Sequence, residues 1–80
     1  MKKFLLPFIG TDQKFTFICT NYIYSGQIEN ISKDTVVSKN AQIIFETGPI
    51  NQKGWRNSED FPHLLFIARQ SIESYFILDK

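Results

Sequence analysis

The stretch "NYIYSGQIENI", residues 21–31, decides the fold predicted for this chain of 80 residues. Its bulky and β-branched residues are typical of a β-strand, but Gly26 lies in its middle. A glycine inside a strand packs no side chain and costs backbone entropy, so it needs a structural reason. It can let the strand bend sharply at the corner of a barrel, or it can mark a bulge in a flat hairpin. The short strands on either side favour the bend.

Strand patterns continue on both sides of this stretch. "KFTFICT" alternates with a period of two, which places Phe15, Phe17 and Cys19 on one face. "SKD" at 32–34 is a polar turn of the kind that joins hairpin strands. "KN" interrupts the third strand after "TVVS", and "AQIIFE" continues it or forms another. The predicted strands are residues 14–20, 22–31, 35–38 with 41–46, 64–69 and 72–79.

Residues 47–63, "TGPINQKGWRNSEDFPH", differ in character from the strands. They contain two Gly, two Pro and many polar residues, which predicts a long loop inserted between strands. Loops of this length in a compact domain are usually functional or mobile.

About five short strands joined by short turns predict one small all-β domain over residues 1–80, a strongly bent barrel. The opening "MKKFLLPFIG" has an apolar run of only six residues, interrupted by Pro7. That run is too short to span a membrane, and no small-residue cleavage site follows it. We therefore expect a short helical or extended lead-in whose apolar side chains pack on the domain.

Composition narrows the class of protein. Hydrophobic residues make up 42% of the chain and include eight Phe, which is ample for a packed core. The net charge of +1 provides no overall field that would attract nucleic acid. The single cysteine, Cys19, excludes an intramolecular disulfide and favours the reducing cytoplasm. Domains this small often gain stability by oligomerising.

The order of these elements resembles the Sm-like (LSm) fold. Gly26 with Ile28 is similar to the Gly-x-Leu of the family's first motif, and Val36 and Val37 are similar to its apolar third strand. Ala41 matches a small residue at the end of that strand. "LLFIARQSIESYFIL" fits the second motif, two short strands around a tight turn. The stretches "MKKFLLPFIG", "YSG" and "AQIIFETG" also resemble small phage and prophage proteins. The resemblance implies a five-stranded Sm-like or SH3-like barrel.

The resemblance implies ligand contacts at two turns. Sm-like RNA binders usually carry Asp and Asn at the first turn, where this chain has "SKDT", and Arg-Gly at the second, where it has "ARQ". The family's uridine pocket is therefore not intact. The turn residues that remain as candidates are Lys33, Asp34, Arg69 and Gln70. Sm-like proteins also typically form rings through their edge strands, which implies a homo-oligomer.

A second set of candidate ligand residues lies in the long loop, in "KGWRNSEDF". An aromatic ring such as that of Trp55 can stack on a base, and arginine or lysine can bind phosphate. Alternatively, Trp55 caps the barrel and anchors the loop. The candidates in this set are Lys53, Trp55, Arg56 and Asn57.

Catalysis is not predicted. His63 lacks the partner groups of a catalytic or metal site, and Cys19 is expected to be a small buried side chain. Glu59 and Asp60 are adjacent and could hold a cation, although neighbouring carboxylates usually point apart. The sequence therefore predicts no cofactor and no metal.

Two functions follow from these features. The first is a non-enzymatic, oligomeric cytoplasmic protein that binds a small signalling nucleotide or a short RNA. The phage resemblance implies that it sequesters a host immune nucleotide in the host cytoplasm. The alternative is a protein–protein adaptor or inhibitor that acts through its edge strands and the Trp55 loop. Neither function involves a membrane.

Overall fold

The strand that contains Gly26 is the second of six strands in an antiparallel sheet. The computed structural model describes residues 2–48 and 55–77, and its helices and strands are counted within those ranges. The described elements, in chain order, are helix α1 (Lys2–Leu5), a first 3₁₀ helix (Leu6–Phe8), β1 (Lys14–Cys19), β2 (Ile23–Ile31), β3 (Thr35–Glu46), β4 (Asn57–Phe61), β5 (Leu65–Ala68), a second 3₁₀ helix (Arg69–Ser71) and β6 (Ile72–Ile77).

The strands pair in the order β4-β3-β2-β1-β6, and β5 pairs with β3 as well. One edge of the long strand β3 pairs with two strands. Its first part pairs with β5, and its later part pairs with β4. Strand β6 lies at the other end of the sheet, beside β1. The prediction of an all-β domain is confirmed. The N-terminal lead-in was predicted to be helical or extended, and it is helical.

Two predictions about these strands are wrong. The sheet has six described strands rather than five, and the predicted loop at 47–63 contains β4. The sequence of β4, "NSEDF", is polar and largely exposed, so it carries no apolar alternation. Its strand conformation comes from backbone pairing with β3. The predicted loop residue Lys53 lies outside the described residues.

A bulge in β3 explains Gly26. Ser25 pairs with Gln42 and Gln27 pairs with Lys39, so Gly26 alone lies opposite two residues of β3. One of those two, Asn40, has a left-handed φ of 49°. A bulge is therefore present at Gly26, although its extra residue belongs to the neighbouring strand and not to β2. The predicted interruption at "KN" is this bulge, and β3 continues through it.

The β3 backbone passes too close to Gly26 for a side chain. A Cβ atom at Gly26 would overlap Ser38 Oγ, and it would lie 3.0 Å from Ala41 Cα and 3.1 Å from Lys39 O. The φ of Gly26 lies outside the left-handed region. Close approach, and not backbone conformation, therefore requires glycine here.

The core forms between one face of the sheet and the N-terminal helices. Leu5 of α1 is completely buried, which confirms that the lead-in packs on the domain. Its neighbours in the core are the alternating aromatic residues of β1 and the apolar residues of β2, β3 and β5. Burial of each such side chain contributes about 1.5–3 kcal/mol. None of the described helices is long and apolar enough to cross a membrane. The buried core residues include Leu5, Phe15, Phe17, Ile28, Val36 and Ile67.

Candidate functional site

Arg69 connects the two turns at which the Sm-like resemblance implies ligand contacts. Its Nη1 donates to the carbonyl oxygens of Ser32 at 2.9 Å and Lys33 at 3.1 Å. Its backbone N–H donates to the carbonyl oxygen of Asp34 at 2.8 Å. These contacts link residues up to 37 positions apart in the sequence. The second 3₁₀ helix is therefore fixed against the β2–β3 turn, a contact called here the Arg69 junction.

Local hydrogen bonds set the shape of both halves of this junction. In the turn, the Ser32 backbone N–H donates to Thr35 O at 2.8 Å, and the Thr35 N–H donates to Ser32 Oγ at 3.1 Å. Serine favours such turns because its hydroxyl replaces a backbone partner. In the 3₁₀ helix, Ser71 Oγ donates to Ala68 O at 2.7 Å. Local hydrogen bonds thus define the backbone shape of both segments.

The Arg69 junction presents both cationic and anionic groups. Lys33, Asp34 and Gln70 are exposed, and Arg69 is half-buried. A guanidinium has five N–H donors in a planar fork. Of the three guanidinium nitrogens of Arg69, only Nη1 has hydrogen-bond partners within the described residues, so Nε and Nη2 remain as donors. Two cations beside one carboxylate are suited to a polar ligand that carries negative charge.

The Trp55 group lies at the other end of β3. Trp55 is half-buried, whereas Arg56 and Asn57 are exposed. Arg56 Nη1 lies 3.4 Å from Glu46 Oε2, in an ion pair whose two side chains are both more than half exposed. Asn57 pairs with Glu46 in the β3–β4 ladder. Because Arg56 already forms an ion pair with the Glu46 carboxylate, it is less suited to bind a phosphate than Arg69 is.

The predicted site residues are therefore not brought into one site. Strand β3 begins beside Ala68 and ends beside Asn57, so the Arg69 junction and the Trp55 group lie at its two ends. The junction brings together four predicted residues from two turns. The Trp55 group brings together three residues that are neighbours in the sequence.

The structure also contains a polar cleft that the sequence did not predict. It has a volume of about 320 Å³ and lies at the β3 bulge, between the start of β1 and the end of β4. Lys14, Asn40, Gln42, Asp60 and Phe61 line it. The "KN" interruption in β3 was the sequence signal at this position, but it did not reveal that β4 would lie alongside.

The residues considered for catalysis or metal binding do not form a site. Cys19 is buried, and its burial raises the pKa of the thiol. Glu59 pairs with Ile43 and Asp60 with Gln42, so the two carboxylates lie on opposite faces of β4. The His63 ring contacts the Phe61 ring edge-on, with centroids 5.8 Å apart. Across residues 2–48 and 55–77, no three His, Cys, Asp or Glu side chains are grouped to hold a metal.

No protein-family model, curated protein or solved structure matches this chain. The Sm-like and phage resemblances therefore stay predictions.

Proposed function

We propose that this protein is a non-enzymatic binding protein that holds a nucleotide-type ligand at the Arg69 junction. The observation that carries this proposal is the double contact of Arg69 Nη1 with the carbonyls of Ser32 and Lys33. It holds the guanidinium in one orientation and leaves its other donors for a phosphate oxygen. Because this orientation exists before binding, less side-chain entropy is lost when the ligand binds. Lys33 adds a second positive charge.

The ligand we propose is a small signalling nucleotide or a short RNA. A net charge of +1 favours a small ligand, because binding to a long nucleic acid normally needs many cations that face phosphates. Sequestration of a host immune nucleotide by a phage protein, in the host cytoplasm, is one form of this function. It requires no catalytic residue and no cofactor.

We propose an Sm-like barrel as the scaffold and a homo-oligomer as the assembly. The strand order β6-β1-β2-β3-β5, the short helix before β1 and the 3₁₀ helix before β6 support the Sm-like assignment. Exposed apolar side chains on two strands support the oligomer. Phe66 on β5 is 67% exposed and Ile77 on β6 is 38% exposed. Such edges usually require a partner or a cover.

The test of the binding site is a comparison of two arginines. Calorimetry measures binding of a cyclic dinucleotide and of a uridine oligonucleotide to the wild type, Arg69→Ala and Arg56→Ala. Loss of a charge-assisted hydrogen-bonding group costs about 1.5–3 kcal/mol, so we expect affinity to fall about tenfold to a hundredfold for Arg69→Ala. Arg56→Ala removes the same charge at the other end of β3 and is the matched control. Equal affinities for the two variants would refute this site.

The second candidate function is a protein–protein adaptor that acts through its edge strands and the Trp55 group. The exposure of Phe66 favours it, because large exposed aromatic residues are common in protein interfaces. Light scattering of the wild type and Phe66→Ser separates the possibilities. An oligomer that Phe66→Ser dissociates supports self-assembly. A wild-type monomer that binds no nucleotide but binds one host protein supports the adaptor.

A further inference from the structure

The polar cleft at the β3 bulge is separate from the Arg69 junction and has its own chemistry. The strands around it are fixed by pairing, since Lys14 pairs with Gln27 and Gln42 pairs with Asp60. Its volume of about 320 Å³ lies within the range of small-molecule sites. Pro62 is an apolar residue of its lining, whereas Phe61 pairs with Ala41, so the Phe61 ring lies on the opposite face of β4 from Asp60.

Hydrogen bonds at this cleft hold the acceptor groups of Asp60 and Asn40 in fixed orientations. Gln42 Nε2 donates to Asp60 Oδ1 at 3.0 Å, which holds the carboxylate in one orientation. Asn40 Nδ2 donates to Gln27 Oε1 at 2.9 Å, so its own carbonyl oxygen is left as an acceptor. The left-handed φ of Asn40 belongs to the bulge that aims this side chain. A carboxylate has about four lone-pair positions, and Gln42 uses one of those on Asp60.

Two buried hydroxyl groups continue the same row across the sheet. Gln42 pairs with Ser25, and Ser25 pairs with Thr16, so the row runs through β4, β3, β2 and β1. Thr16 and Ser25 are each only 1% exposed. Within the described residues, neither hydroxyl has a hydrogen-bond partner. Unsatisfied buried hydroxyls are rare in native structures, so the row that continues from Gln42 carries unused hydrogen-bonding capacity, although neither hydroxyl lines the cleft.

The cleft therefore offers a ligand several acceptors and one cation. Asp60 and Asn40 are the acceptors, and Lys14 is the cation. A ligand that matches this set has two adjacent N–H donors and a negative group. Guanine has this pattern, because its N1–H and N2–H groups point in the same direction. Adenine presents an acceptor at N1, which a carboxylate repels.

We propose that this cleft binds the base of a guanine nucleotide. The Asp60 carboxylate accepts the N1–H and N2–H hydrogen bonds, and Lys14 binds the phosphate. The inference rests on the proposed function, since it names the base that a nucleotide-binding protein of this structure selects. It places base selection at the β3 bulge, away from Arg69.

The test measures calorimetric affinities of the full chain for GMP, IMP and AMP. A bidentate contact to a base contributes about 1–3 kcal/mol of discrimination, so GMP is expected to bind about tenfold or more tightly than AMP. IMP keeps the N1–H donor but lacks the N2 amino group, and is expected to have an intermediate affinity. These comparisons use only the wild-type protein, so no variant has to fold. Equal affinities for GMP and AMP would overturn the inference.

Variants then locate the contact. Asp60→Asn replaces one acceptor by a donor and is expected to weaken GMP binding about tenfold. Glu59→Gln is the matched control, because it changes the adjacent carboxylate on the opposite face of β4. Lys14→Met is expected to weaken binding of GMP but not of guanosine, which has no phosphate. Equal losses of affinity for Asp60→Asn and Glu59→Gln would indicate a general charge effect and would also overturn the inference.

The same experiments separate this inference from the proposed function. Nucleotide binding that depends on Arg69 but shows no preference for guanine refutes the cleft alone. Guanine-selective binding that depends on Asp60 but not on Arg69 supports the cleft and refutes the Arg69 junction. Absence of binding to any of the nucleotides and to a uridine oligonucleotide overturns both.

Discussion

Replacement of Gly26 by alanine tests the packing explanation for this glycine. The added methyl group would overlap Ser38 Oγ and lie 3.0 Å from Ala41 Cα and 3.1 Å from Lys39 O. Two of these three atoms belong to the β3 backbone and cannot rotate away. Ser38 Oγ can rotate, but it would then lose its 2.8 Å hydrogen bond to Gln27 O.

The expected cost follows from these contacts. Overpacking of a tight site costs about 1–3 kcal/mol, and the lost hydrogen bond about 0.5–1.5 kcal/mol. Against this, alanine restricts the unfolded chain and returns about 0.4–1 kcal/mol. We therefore expect Gly26→Ala to lower the free energy of unfolding by about 1–3 kcal/mol. For a domain of this size, each kcal/mol lowers Tm by about 4–8 °C.

Urea unfolding followed by tryptophan fluorescence, with thermal circular dichroism, measures this change. The double variant Gly26→Ala with Ser38→Ala tests the mechanism, because it removes the Oγ overlap and leaves the two backbone contacts. We expect the double variant to lose less stability than the sum of the two single variants.

Gly10→Ala is the control for backbone conformation. Gly10 has a φ of +78° and nothing within 4 Å of an added Cβ, so its cost of about 1–2 kcal/mol comes from left-handed strain alone. Asparagine tolerates that conformation and should reduce the cost at Gly10, but not at Gly26. A Gly26→Ala protein as stable as the wild type, or additive effects of the two substitutions, would show that close packing does not explain Gly26.

Three further predictions concern the sites. Arg69→Lys should lower the free energy of unfolding by about 1 kcal/mol, because lysine keeps the charge but not the double contact with two turn carbonyls; unchanged urea denaturation would contradict this. Arg56→Ala should change stability by less than about 1 kcal/mol, because its ion pair with Glu46 is exposed; a larger change, or one that persists in 1 M salt, would contradict this. The raised pKa of the Cys19 thiol should slow its reaction with a disulfide reagent at pH 8 relative to the urea-unfolded chain. Because the thiol ionises more easily in the unfolded chain, its contribution to stability is complete at neutral pH and is lost as pH rises through and above the ordinary thiol pKa of 9.0; equal reaction rates in the two states would contradict this.

The two candidate sites could be predicted only in part from the sequence. Lys33, Asp34, Arg69 and Gln70 were found from the positions of two turns, and the structure places those turns together. The polar cleft was not found, because Lys14, Asn40 and Asp60 come from three separate parts of the chain. No local pattern connects them until β4 pairs with β3.

The sequence by itself determined the elements whose signal is local. The alternation of Phe15 with Phe17 determined β1, and the polar residues at 32–34 determined the turn after β2, because side-chain periodicity and turn chemistry act over a few neighbours. The tertiary structure decided β4, whose polar sequence becomes a strand only through pairing with β3. It also decided the reason for Gly26, since the β3 backbone that excludes its side chain approaches only when the two strands pair around a bulge. Contacts between distant residues depend on register and chain closure, which no short stretch of sequence specifies.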